Sequence, residues 1–68
     1  MNSIYDIQQL LKRFGTIIYL GDRRATLELM EEEVKELYKS QLIEPKEFQQ
    51  AIFLLRHEIQ MIKEQKDL

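Results

Sequence analysis

No cysteine occurs in this chain of 68 residues, so neither a disulfide nor a cysteine-based zinc site can brace its fold. The one histidine, His57, is too few for a metal cage built from protein ligands, and no cofactor is expected. Gly15 and Gly21 are the only two glycines. They flank one short apolar stretch and cannot form a glycine-rich phosphate loop. Serine is limited to Ser3 and Ser40, each beside a helix end, so there is no nucleophile elbow. No apolar run approaches the ~20 residues that span a bilayer. Met1–Gln9 shows neither the basic start nor the continuous apolar centre of a secretory signal. A cytoplasmic chain with no membrane partner is therefore expected. It is also expected not to be an enzyme, because a core this small leaves little room for a water-excluding pocket.

Apolar residues make up 44% of the chain, enough for one core in a single domain spanning residues 1–68. Such a core rarely contributes more than about 3–5 kcal/mol net, so helix packing or self-association must replace the disulfides and metals of other small proteins. The formal net charge of −2 hides an asymmetry. Residues 1–27 carry Lys12, Arg13, Arg23 and Arg24 against Asp6 and Asp22, a balance of +2. Residues 28–68 carry six Lys/Arg against ten Asp/Glu, a balance of −4. The two halves offer different faces to a partner.

The periodicity predicts an all-α, three-helix bundle with an extended connector between the first two helices. Ile4, Ile7, Leu11 and Phe14 fall on one face of a helix over Ile4–Phe14. Ser3 and Asp6 resemble a capping box at its start, and Gly15 suits the left-handed residue that ends it. Asp22 is the expected N-cap of a second helix over Arg23–Ser40, with Leu27, Met30, Val34, Leu37, Tyr38 and Gln41 along one face. A third helix over Pro45–Lys63 opens with proline at its first position and with Ile43 and Phe48 placed for a hydrophobic staple. Its stripe is Phe48, Ile52, Leu55, Ile59 and Ile62. Phe14, Leu27, Val34, Leu37, Phe48, Ile52, Leu55 and Ile59 are expected to share one core. The β-branched segment Gly15–Gly21 reads locally as a strand, but a lone strand is marginal in water. It is read as a connector packed across the bundle, with pairing to another copy's connector as the alternative.

Few residues carry candidate chemistry. Glu31, Glu32 and Glu33 are successive on a helix, so their carboxylates diverge by about 100° each and read as a solvated face. His57 has no nucleophile or acid spaced to work with it and reads as a surface residue. Lys12 and Arg13 end the first helix, while Arg23 and Arg24 open the second. With Tyr19 between them they offer charge for phosphates and a ring for base stacking, which is what single-stranded nucleic acid requires. The acidic balance opposes binding at a distance. A solvated surface and an acidic protein partner are the competing readings. Leu29, Phe53, Leu54 and Met61 lie off the main stripes and suggest a second apolar surface for a protein partner or a homo-oligomer.

The segment FGTIIYLGDRRATLELMEEEVKELYKSQLI, residues 14–43, resembles the YqgQ family of small Bacillus-type bacterial proteins, whose function is not assigned. The most specific part is Phe14-Gly15 through Tyr19 and Gly21, then Arg23 and Glu28-Leu29-Met30. The resemblance covers nearly the whole chain. It implies a compact three-helix fold and a cytoplasmic protein, with single-stranded nucleic acid as the suggested partner. It supplies no family-defined site, so Lys12, Arg13, Tyr19, Arg23 and Arg24 rest on their chemistry.

Overall fold

A computed structural model describes residues 1–66; Asp67 and Leu68, the end of the expected domain, lie outside the described residues. Three helices follow in order: α1 (Ile4–Arg13), α2 (Arg23–Lys39) and α3 (Pro45–Lys66). The fold is all-α, as the periodicity predicts. Down the α2–α3 interface Arg23 meets Glu58, Glu31 meets Arg56, and Tyr38 stacks on Phe48. As residue numbers rise along α2 they fall along α3, so the two run antiparallel. The N-terminal ammonium of Met1 donates to Gln50 Oε1 at 3.1 Å, which sets the start of α1 beside the early turns of α3.

The core contains Ile7, Leu10 and Leu11 from α1, Leu27, Met30 and Val34 from α2, Ile43 from the loop, and Ala51 and Leu55 from α3. Leu37, Phe48, Ile52 and Ile59 are half-buried and pack against it. Phe14 does not: at 37% exposure it stands beyond the last turn of α1. The 3-4-3 spacing extrapolates one residue past the point where Gly15 turns the chain. Leu10 takes the core position instead. Leu54, expected on a second surface, packs against the core. α3 touches both other helices, and its inward arc is wide enough to hold Leu54 as well as Leu55.

Gly15, at φ 83°, ends α1 in a left-handed turn. Its N–H donates to the Lys12 carbonyl and the Thr16 N–H to the Leu11 carbonyl, which is a Schellman closure. The same closure ends α2, with Gln41 at φ 61° in the glycine position and Leu42 N–H donating to the Leu37 carbonyl. Gln41 therefore lies outside the helix whose face it was expected to share. At the N-termini, Asp22 accepts from Ala25 N–H at 2.8 Å. Ser3 makes no side-chain cap, and Asp6 instead accepts from Asn2 N–H at 2.9 Å. Glu47 closes the start of α3 by accepting from Glu44 N–H, while Ile43 and Phe48 pack on the same core.

Candidate functional site

The Schellman turn at Gly15 sends the connector back over α1. From 16 to 20 it runs without a turn or bend, so side chains alternate between its two faces. Ile18 is the anchor, packed against the core. Its neighbours Ile17 and Tyr19 are thereby forced outward and are 78% and 89% exposed. The far end is held by Thr26, whose Oγ1 accepts from Leu20 N–H at 3.2 Å while its hydroxyl donates to the Asp22 carbonyl at 2.9 Å.

Between α1 and this connector lies a groove of about 250 Å³. Gln8, Gln9 and Lys12 line its α1 side, Thr16 to Tyr19 the connector side, and Leu11 with Met30 the floor. The site pairs one ammonium with two carboxamides beside an exposed phenol ring, over an apolar base. Lys12 and Tyr19, singled out from the sequence, share it. Gln8, Gln9 and Ile17 were missed, although Gln8 stands one helical turn before Lys12 and Ile17 two residues before Tyr19.

The other cations are placed differently. Arg13 is exposed and does not line the groove. Arg24 Nε lies 2.9 Å from Glu28 Oε1, and Arg23 reaches Glu58 on α3 at 3.8 Å. Two cations at the positive end of a helix dipole are unfavourable by themselves, and these carboxylates offset them. Among the described residues, Lys12 and Arg13 join no ion pair.

On α3, Phe53 is 71% exposed, with its ring nearly parallel to His57 at 6.3 Å between centroids. Both line a second, shallower depression along α3 with Phe48, Ile52 and Arg56. Leu29 and Met61 are exposed, but neither reaches that depression. Of the four apolar candidates, Phe53 alone lines that depression. Glu31 pairs with Lys35 and Arg56, while Glu32 points to Lys35 alone at 3.9 Å. Among the described residues, no group of three or more His, Cys, Asp or Glu is placed to hold a metal ion. No described helix is long and apolar enough to cross a membrane.

Comparison with known proteins agrees with the resemblance carried by residues 14–43. The chain is 46% identical over 67 residues to the uncharacterized protein YqgQ of Bacillus subtilis (strain 168), covering 98% of this chain and 94% of that one. A model of the YqgQ-like family matches residues 1–61, and with most of its length matched the chain belongs to the YqgQ-like family.

Proposed function

We propose that this chain is a non-enzymatic, cytoplasmic protein that binds single-stranded nucleic acid in the groove between α1 and the connector. The observation that carries the reading is the pairing of Lys12 with the exposed Tyr19 ring across one groove. Lys12 neutralises a phosphate, Tyr19 stacks a base, and the Gln8 and Gln9 carboxamides offer donors and acceptors to the base edge. Arg13, one residue from Lys12, supplies a second phosphate contact. Arg23 and Arg24 contribute less, because Glu58 and Glu28 already hold them.

Fluorescence anisotropy with a labelled single-stranded oligonucleotide at low salt tests this. Two phosphate contacts correspond to a log–log salt slope of about −1.4, and affinity is expected in the micromolar range. Tyr19→Ala should weaken binding by about 1–3 kcal/mol and leave the slope unchanged, since stacking releases no counterions. Lys12→Ala should flatten the slope by about 0.7. No binding at about 100 μM protein at low salt, where counterion release favours it most, overturns the reading. The exposure of Phe53 supports a second reading, an adaptor that takes a protein partner along α3. Apolar contacts there would hold at high salt, which separates the two.

A further inference from the structure

The hydrogen bonding of the connector has a definite sidedness. In an extended chain, the N–H and C=O of alternate residues point to opposite edges. On the even-numbered edge the two end amides are already taken within the chain, Thr16 N–H by the Leu11 carbonyl and Leu20 N–H by Thr26 Oγ1. The odd-numbered edge carries Ile17 and Tyr19, whose N–H and C=O groups make no hydrogen bond among the described residues. Strand edges are ordinarily guarded by lysine, proline or a bulge. Here Phe14–Gly21 contains no charge and no proline. Phe14, Ile17, Tyr19 and Leu20 are all exposed within this one short segment.

We infer that this edge pairs antiparallel with the same edge of a second copy of the chain, with Ile18 facing its counterpart across a two-fold axis. In that register Ile17 and Tyr19 exchange N–H···O=C bonds with the partner's Tyr19 and the partner's Ile17, which satisfies every free group on the odd edge. Each cross-strand pair sets a β-branched side chain against an aromatic ring on the outer face, a favourable combination. Antiparallel pairing keeps the Lys12 and Arg13 of the two copies apart, whereas parallel pairing would stack them. The end they approach instead carries Asp22 together with Arg23 and Arg24, which Glu58 and Glu28 hold. Pairing of the odd edges about a two-fold axis is isologous and uses up that edge in both copies, so it closes at two. At the ends of the even edge, Thr16 N–H and Leu20 N–H already have partners within the chain. The strands are short and the buried area falls well below the ~1,200–2,000 Å² of a standard interface. The dimer is correspondingly weak, and both Tyr19 rings stay on the outer face, open to a base.

Sedimentation equilibrium of the unmodified chain up to about 1 mM should show a reversible dimer, as a small interface requires high concentration. The register is tested by disulfide crosslinking, which the absence of native cysteine makes unambiguous. Residues 17 and 19 of opposite copies lie at bridging distance, about 5.5 Å between Cα atoms, whereas two copies of residue 17 do not. Mixing the Ile17→Cys and Tyr19→Cys variants should therefore crosslink at least about tenfold faster than either variant alone. Circular dichroism confirms that both variants keep their helices, as expected for substitutions at exposed positions. A strictly monomeric chain at all concentrations overturns the inference. So does either single variant crosslinking as fast as the mixture.

Discussion

Gln41 and Gly15 occupy the same backbone position at the ends of their helices, with φ 61° and φ 83°. Only one is the residue that this conformation favours. An L-residue with a Cβ pays about 1–2 kcal/mol to sit in the left-handed region, while glycine loses about 0.5–1 kcal/mol more chain entropy on folding. Gln41→Gly should therefore stabilise the fold by about 0.5–1 kcal/mol, which raises the midpoint of a domain this size by several degrees in thermal denaturation. Gly15→Ala should do the reverse by about 1 kcal/mol. The added Cβ there would meet no atom within 4 Å, so the loss would be backbone strain alone. The contrast also explains what could be read in advance. Glycine announces a left-handed turn by its identity, whereas Gln41 falls at helical spacing from Leu37 and carries no mark of its conformation.

At the level of elements, the helices follow from apolar spacing and caps because both signals are local. Asp22, Pro45 and the α3 stripe needed no tertiary information. Phe14 and Ala51 fail the same reading for opposite reasons. Phe14 is large and in register but lies past the turn, while Ala51 is too small to draw notice yet is completely buried. The connector was legible as an extended, strand-like segment bounded by two glycines, with Gly15 as the left-handed turn at its start. Its anchor was not, because nothing local distinguishes Thr26 from any other first-turn threonine. Thr26 bridges Leu20 and Asp22 through one hydroxyl. Thr26→Val keeps the shape and removes both bonds, each worth about 0.5–1.5 kcal/mol. These bonds are exposed, so the global midpoint should move by less than that. The Leu20 amide should lose its protection in hydrogen exchange while amides in the middle of α2 keep theirs. Unchanged exchange at Leu20 would mean that the core contact of Ile18 alone holds the connector in place.

Across the whole molecule, the division of charge seen in the sequence is partly undone by folding. The early half has a balance of +2 and the later half −4, but two of the four early cations are held by acids of the later half, Glu28 and Glu58. Sequence position could show where charges lie along the chain, not which of them meet in space. That leaves Lys12 and Arg13 as the cations available to a strand lying in the groove. Exposed ion pairs of this kind contribute about 0–1 kcal/mol, so replacing their acids should scarcely alter stability. The effect on binding should be larger. Glu28→Gln together with Glu58→Gln keeps the side-chain shape, removes two negative charges and releases both guanidinium groups. If the strand passes from the groove over the start of α2, four phosphate contacts become possible. The salt slope should then steepen from about −1.4 towards −2.8, with tighter binding at low salt. Anisotropy titrations at several salt concentrations read both quantities on one protein pair. Tighter binding with an unchanged slope would show that the lost negative charge acts only through the general field. Arg23 and Arg24 would then lie off the path of the strand, and the site would end at Tyr19.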